Sequence, residues 1–237
     1  IQRASIRNAR KVISYQLIVI VIILCLSAGA WLALWVRRIE PDWIMPVMAP
    51  DAAPTVAGKI SVIIPARNEV RSLPVLLKSL HGHGPADAEI IVVDDESGDG
   101  TDAVAALSAK ADRRVRIIKG CERPAGWVGK TWALTQGAAV AAGEWLVFLD
   151  ADLVPEGDIL GTASRTVQRD TLDCLSLVPR MENRRILVAS LIGCLSIARA
   201  ILYRPARPGR PGIIQGACLM VRRAAFDAVG GYGAIRN

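Results

Sequence analysis

Short apolar runs alternate with helix-patterned segments through the middle of the chain, and this alternation constrains the fold more than any other feature. The runs are rich in Val, Ile and Leu and predict strands at 60–64, 90–93, 115–118, 145–149 and 172–178. Apolar residues at helical spacing predict helices at 69–80, 101–109 and 130–142. Such an alternation is typical of a mostly parallel sheet with helices on both faces. We therefore predict an α/β fold.

Polar residues follow three of the predicted strands at the point where each strand ends. They are Asn68 and Glu69, Asp94 and Asp95, and Asp150 and Asp152. In parallel sheets, ligands bind beyond the carboxyl ends of the strands. The three strand ends therefore predict a single binding site at this edge of the sheet.

Asp150 and Asp152 are candidate cation ligands. Carboxylates two residues apart beyond a strand can turn towards one cation, and Mg²⁺ or Mn²⁺ prefers oxygen ligands that it often shares with phosphates. Such a cation would neutralise a leaving diphosphate. The alternative is a solvated turn, since this spacing arises often by chance, but its position directly after the strand at 145–149 favours the cation site.

The acidic segment 94–101 allows two interpretations. The carboxylates at its start can accept hydrogen bonds from a nucleobase or a ribose. Ser97, Asp99 and Thr101 can also cap the helix that follows.

Other classes of nucleotide site are disfavoured by the sequence. No G-x-G-x-x-G follows the first strand, so a site for NAD is poorly supported. The segment Gly129-Lys130-Thr131 resembles the end of a P-loop, but Pro124 stands where that motif needs glycine. The five cysteines form no C-x-x-C pair, which disfavours a zinc ribbon.

The net charge of +7 is unevenly distributed along the chain. Residues 1–59 carry +4, residues 60–179 carry −5 and residues 180–237 carry +8. The basic segments adjoin apolar runs, a pattern that favours an anionic membrane surface over nucleic acid. The alternative, which involves no binding partner, is a general preference for Arg over Lys in the chain. We predict a membrane partner and no nucleic-acid partner.

Residues 12–36 form an apolar stretch without a charge and predict a transmembrane helix. As a helix the stretch would measure about 38 Å, enough to cross a bilayer core with some tilt. A signal peptide with a cleavage region at 27–30 is the alternative, although the apolar run continues past that point. The proline-containing segment 41–58 is predicted to link this helix to a globular domain at 59–237.

A second apolar stretch, 186–203, carries one charge and is surrounded by arginines. It is marginal for a full span, and an interfacial helix with snorkelling arginines fits better. A helix buried in the domain is the alternative.

Three motifs in this order resemble family 2 glycosyltransferases with the GT-A fold. They are the segments 62–69, 92–101 and 148–152. The segment 126–134 (GWVGKTWAL) resembles membrane-associated members that act on lipids, among them the hopene-associated glycosyltransferases.

The resemblance implies a nucleotide-sugar donor, a UDP-sugar in the first instance, and inversion at the anomeric carbon. It implies that Pro65, Asn68 and Glu69 line the nucleotide pocket, that Asp94 or Asp95 contacts uracil or ribose, that Lys130 lies near the diphosphate, and that Asp150 and Asp152 bind ribose and metal. Lys130 could also be an ordinary residue at a helix start. Trp127 could form a donor or acceptor wall, although loop packing is preferred.

The segment 215–223, followed by Gly230-Gly231-Tyr232, resembles the acceptor-side strand and turn of the family. This places Gln215, Gly216 and Ala217 on the acceptor side. Family members carry an acidic catalytic base soon after this turn, and we expect it beyond Asn237 in a longer chain.

Taken together, these features predict a membrane-anchored, inverting glycosyltransferase that moves a sugar to a hopanoid-related lipid. Its expected location is the bacterial inner membrane, with the catalytic domain facing the cytosol. The alternatives are a polyprenyl-phosphate sugar transferase and a non-catalytic membrane protein that binds nucleotide.

Overall fold

A six-stranded sheet forms the centre of the structure, a computed structural model that describes residues 27, 56–179, 214 and 216–235. The strands are β1 (Ile60–Ala66), β2 (Glu89–Asp94), β3 (Val115–Lys119), β4 (Trp145–Leu149), β5 (Cys174–Leu177) and β6 (Cys218–Arg222). The helices are α1 (Leu73–Leu80), α2 (Thr101–Ala111), α3 (Gly129–Val140), α4 (Ile159–Arg169) and α5 (Arg223–Ala228), with a 3-10 helix at Gly231–Ile235.

The strand order is β3-β2-β1-β4-β6-β5. The pairs β1–β2, β2–β3 and β1–β4 are parallel, whereas β6 runs antiparallel to both β4 and β5. Of the six described strands, five therefore run in one direction and β6 alone is reversed. The predicted α/β sheet is confirmed, and because β1, β2 and β4 are parallel, their carboxyl ends share one edge.

Both faces of the sheet are covered, because alternate residues of each strand point to opposite sides. Ile60, Val62 and Ile64 of β1 pack in a core that includes residues of α1, α2 and α4. Ile63 belongs to a second core with Ala133 and other residues of α3. The continuous apolar strands that suggested a two-sided sheet therefore bury both of their faces.

The first helix begins four residues later than the sequence pattern suggested, at Leu73 instead of Glu69. The backbone N–H of Glu69 donates to Thr101 Oγ1 at 2.8 Å, and that of Val70 donates to Asp99 Oδ2 at 3.2 Å. Glu69 and Val70 are thus tied to the loop and first residue at the start of α2. Pro74 fits the first turn of α1, where no helical N–H bond is needed.

Several predicted segments lie outside the described residues. They are the stretch 12–36 apart from Ser27, most of the segment 41–58, the stretch 186–203, and Gln215. In the part of the chain that the structure does describe, no helix is long and apolar enough to cross a membrane.

Candidate active site

A cleft of about 310 Å³ opens at the shared carboxyl edge of β1, β2 and β4. It is lined by residues 65–67, Glu69, Asp95, 129–130, Ala133 and 150–152. Six of the residues predicted from the three motifs and the start of α3 therefore meet in one place: Pro65, Glu69, Asp95, Lys130, Asp150 and Asp152. The parallel register produces this meeting, because Ala66 at the end of β1 pairs with Asp94 at the end of β2.

Asp95 enters the cleft from the end of β2 and is held on both its backbone and its side chain. Its N–H donates to the carbonyl of Ala66 at 2.8 Å. Its Oδ2 lies 3.3 Å from Nη1 of Arg67, and the two side chains are 9% and 56% exposed. Since a buried carboxylate needs a partner, Arg67 stabilises Asp95 at the cleft wall and keeps its own guanidinium open to a ligand.

Asp94 and Asn68 form hydrogen bonds within the loops beside the cleft and are not among its lining residues. Asp94 Oδ1 accepts from the N–H of Ser97 at 3.3 Å. Asn68 adopts a left-handed backbone with φ 58°; its N–H donates to Ser97 Oγ at 3.0 Å, and its Oδ1 accepts from the N–H of Gly98 at 3.0 Å. Of the two candidate aspartates, Asp95 is therefore the one that faces the cleft.

Asp99 and Thr101 order the turn into α2, but the N-cap position is Gly100 and no side chain caps the helix there, contrary to the capping interpretation. Asp99 Oδ1 accepts from the N–H of Thr101 at 3.1 Å and from its hydroxyl at 2.6 Å. The hydroxyl bond from Thr101 lowers the pKa of Asp99. Segment 94–101 thus places Asp95 in the cleft, while its later residues order the loop before α2.

Lys130 and Asp150 face each other across the cleft. The Nζ of Lys130 lies 2.6 Å from Oδ1 of Asp150, and the side chains are 47% and 26% exposed. The N–H of Asp150 donates to the carbonyl of Ala217 at 2.9 Å. The segment that leads into β6 therefore borders the Asp150 motif, with Ala217 beside Asp150 and Gly216 exposed next to it.

Two groups near Asp150 stay protonated at neutral pH. Burial, together with the charge of Asp150, raises the pKa of the Cys218 thiol to about 12. Burial and the same charge also raise the pKa of Tyr232. Because the thiolate is the nucleophilic form of cysteine, Cys218 is an inert core residue rather than a nucleophile.

The Asp150 motif predicts a divalent cation in the cleft. Asp150 and Asp152 both line it, and their carboxylates are the oxygen donors that Mg²⁺ and Mn²⁺ prefer. Among the described residues no cluster of three or more His, Cys, Asp or Glu forms a complete cage. A two-carboxylate site fits a cation that takes its other ligands from water and a diphosphate.

The charges that line the cleft are predominantly negative. Four carboxylates, those of Glu69, Asp95, Asp150 and Asp152, face two cations, those of Arg67 and Lys130. A diphosphate would meet net repulsion from this lining. A bound divalent cation would remove that repulsion.

Sequence reasoning missed five lining residues: Ala66, Arg67, Gly129, Ala133 and Ala151. Arg67 was signalled by its place between Pro65 and Asn68 at the end of a strand. Gly129 was signalled by its place before Lys130, and a Cβ there would lie 3.0 Å from Asp95 Oδ2. Trp127 packs against Trp132 with ring centroids 5.1 Å apart, as the loop-packing interpretation expected.

Residues 61–230 match the sequence profile of glycosyl transferase family 2. The chain belongs to this family. The 4,4'-diaponeurosporenoate glycosyltransferase of Staphylococcus haemolyticus is 40% identical over 94 residues, which are 40% of this chain and 24% of that protein. The polyprenol monophosphomannose synthase of Mycolicibacterium smegmatis is 38% identical over 96 residues, which are 38% of this chain and 34% of that protein.

A solved structure of another protein has a similar fold. It is a mannosyltransferase of Pyrobaculum calidifontis in complex with GDP-Man and Mn²⁺, with a TM-score of 0.61 and 26% identity. The alignment covers 88% of this chain and 57% of that one. The GT-A-like fold of this family 2 domain is thereby confirmed, whereas the domain spans less than half the length of the first curated relatives.

Proposed function

We propose that this family 2 domain transfers a sugar from a nucleotide-sugar donor to a lipid acceptor, with inversion at the anomeric carbon. The observation that carries the proposal is the meeting of Asp95, Lys130, Asp150 and Asp152 in one cleft. These four residues supply a partner for a base or ribose, a cation for a phosphate and two carboxylates for a metal.

Each part of the donor has a matching part of the cleft. Asp95 and Arg67 would receive the base or the ribose, because a carboxylate accepts and a guanidinium donates hydrogen bonds there. Lys130 would receive the diphosphate, and Asp150 and Asp152 would hold Mg²⁺ or Mn²⁺. Pro65 and Glu69 complete the wall on the β1 side.

The reaction is a displacement at the anomeric carbon. The acceptor hydroxyl oxygen forms the new bond to that carbon, the bond to the diphosphate oxygen breaks, and the hydroxyl proton passes to a base. When bound, the divalent cation neutralises charge on the departing diphosphate. The cleft residues hold the donor while Ala217 and Gly216 border the side from which the acceptor approaches.

The lipid acceptor is supported by the relatives and by the charge pattern. One relative is named for a carotenoid acid, diaponeurosporenoate. Residues 180–237 carry +8, which favours an anionic membrane surface. The proposed location is the bacterial inner membrane, with anchoring through 12–36, catalysis on the cytosolic side, and a hopanoid-related acceptor.

A second candidate acceptor is a polyprenyl phosphate. The similarity to a polyprenol monophosphomannose synthase favours it, and arginines near 186–203 could bind the lipid phosphate. Extraction of membrane lipids after incubation with labelled donor separates the two, because a sugar on a polyprenyl phosphate is released by mild acid and a hopanoid glycoside is not.

The deciding experiment is thermal unfolding of the protein with UDP, GDP, CMP or NAD, each with and without Mn²⁺. A ligand at 100 times its dissociation constant stabilises the fold by about 2.7 kcal/mol, which shifts the unfolding temperature by several degrees. We expect a Mn²⁺-dependent shift with UDP, and a shift with GDP instead would change the donor but keep the transferase. A metal-independent shift with NAD would overturn the proposal.

The Asp152→Asn variant connects this shift to the cleft. We expect it to lose the Mn²⁺-dependent part of the nucleotide shift, whereas Glu156→Gln, an exposed acid four residues away, keeps it. An unchanged nucleotide affinity in Asp152→Asn with Mn²⁺ present would remove the metal assignment.

A further inference from the structure

We propose that Lys130 occupies the cation's place at Asp150 until the donor arrives, and then moves to the diphosphate. Cation and nucleotide would consequently bind cooperatively, each favouring the other. The inference rests on the proposed function and concerns the order in which the cleft is filled.

The geometry places Lys130 where a cation would compete with it. Its Nζ lies 2.6 Å from Asp150 Oδ1, within the same cleft that Asp152 lines. The other cation of the cleft lining, Arg67, is engaged with Asp95. Asp150 therefore has a positive partner already, and a divalent ion must displace it or share the carboxylate with it.

Lys130 is the partner that can move. Asp150 is anchored through its N–H to the carbonyl of Ala217 at 2.9 Å, at the end of a buried strand. The Lys130 side chain has four rotatable methylene bonds and is 47% exposed, so it exchanges partners in contact with water. Half-exposed ion pairs add little net stability, and hence the exchange is easy.

The position of Lys130 on α3 also favours an anionic ligand. It is the second residue of the helix, where the positive end of the helix dipole disfavours a lysine. Without donor, the carboxylate of Asp150 offsets this unfavourable interaction of Lys130 with the helix dipole. A diphosphate would offset it more fully because it carries more negative charge. The exchange gives Lys130 a new anion and leaves Asp150 to the divalent cation.

The charge of the lining explains why the two events would be coupled. Four carboxylates and two cations repel a diphosphate as long as no divalent ion is bound. With Lys130 on Asp150, the divalent ion binds weakly by itself. Once the diphosphate accepts Lys130, the Asp150 carboxylate is freed, and reciprocity requires that the cation then strengthens nucleotide binding by the same factor.

The test measures Mn²⁺ and nucleotide binding separately in wild type, Lys130→Met and Lys110→Met. Free Mn²⁺ is followed by electron paramagnetic resonance without nucleotide, and UDP and GDP are titrated calorimetrically with and without saturating Mn²⁺. Lys110 is an exposed lysine at the end of α2, so its loss controls for net charge. Thermal unfolding verifies that each variant is folded.

We expect Lys130→Met to bind Mn²⁺ alone about threefold more tightly or better, since an exposed ion pair competes by a factor of this order. Its nucleotide affinity with Mn²⁺ should fall at least tenfold, and the factor by which Mn²⁺ strengthens nucleotide binding should shrink. Lys110→Met should match wild type in all three quantities.

Weaker nucleotide binding by Lys130→Met with unchanged Mn²⁺ affinity would overturn the proposed exchange of partners. Lys130 would then be a diphosphate ligand only. Weaker Mn²⁺ binding would overturn the exchange too. If wild type binds neither UDP nor GDP, the proposed donor fails, while the Mn²⁺ arm still decides whether Lys130 competes for Asp150.

Discussion

Gly129 lies so close to Asp95 that a Cβ on the glycine would stand 3.0 Å from the carboxylate Oδ2. The start of α3 thus packs against the acid that faces the cleft, and the absence of a side chain at 129 permits this approach. Asp95 Oδ2 is also the atom that pairs with Arg67. A group added at 129 therefore disturbs the carboxylate and its partner together.

Gly129→Ala should weaken nucleotide binding several-fold while changing stability little, because two opposing effects offset each other. The methyl group pushes the Asp95 carboxylate away from Arg67, whereas alanine suits a helix position as well as glycine or better, by up to about 1 kcal/mol. Nucleotide affinity by calorimetry and the free energy of unfolding in urea give the two readings. Gly98→Ala, where a Cβ meets nothing within 4 Å, is the control and should leave affinity unchanged.

Arg223→Ala should destabilise the domain by about 2–4 kcal/mol, because a charged donor to part-buried carbonyls is lost. The guanidinium donates to the carbonyl of Gly143 at 2.8 Å, of Ala141 at 2.7 Å and of Ala138 at 3.4 Å. These carbonyls lie at and just after the carboxyl end of α3, whose other end carries Lys130. Urea unfolding measures the loss.

Exposed Arg113→Ala is the comparison for Arg223 and should change stability by less than about 0.5 kcal/mol. Arg223→Lys should recover only part of the loss, because an ammonium cannot span three carbonyls as the planar fork does. Equal effects of Ala at 113 and 223 would contradict this role.

The sequence was most informative where burial decides structure. The runs 60–64, 90–93 and 145–149 predicted β1, β2 and β4, since a strand buried on both faces needs a continuous apolar run. Once these strands are parallel, the polar residues after them must share an edge. The cleft follows from the pattern for that reason.

Other features depend on contacts between distant residues and have no local signal. The start of α1 was predicted too early because the N–H groups of Glu69 and Val70 bond to side chains about 30 residues away. The choice of Asp95 over Asp94, and its pairing with Arg67, depends on how β2 ends beside β1. The reversed direction of β6 is likewise set by its pairing with β4.

Asp112 should stabilise the fold at neutral pH and lose this stabilising contribution in acid. Its hydrogen bonds from Arg114, with Nη2 2.8 Å from Oδ2, lower the pKa of Asp112 from 3.8 to about 2. A depressed pKa stabilises the folded state above pH 3.8, and this contribution is lost as the pH falls towards 2. The contribution at neutral pH is about 1–2 kcal/mol after solvent screening.

The measurement compares wild type with Asp112→Asn by urea unfolding at pH 7, 4 and 2.5. The difference in unfolding free energy should be largest at pH 7 and should shrink at each lower pH. Asp87→Asn, at an exposed position, should show no such trend. A difference that stays constant from pH 7 to 2.5 would mean that the Asp112 charge is not the cause.

Gly137→Ala should separate packing from binding on the same helix. A Cβ at 137 would stand 2.4 Å from Ile63 Cγ2 and 3.1 Å from Val93 Cγ2, and both side chains are fully buried. Overpacking of this kind costs about 1–3 kcal/mol, which outweighs the gain of up to about 1 kcal/mol from replacing a helical glycine. We therefore expect a net loss of stability in urea unfolding.

Nucleotide affinity of Gly137→Ala below the unfolding transition should stay within about twofold of wild type, since position 137 lies two helical turns from Lys130. Gly129→Ala should show the opposite pair of results. If both variants lost stability and neither lost affinity, the close approach of α3 to Asp95 would have no part in binding.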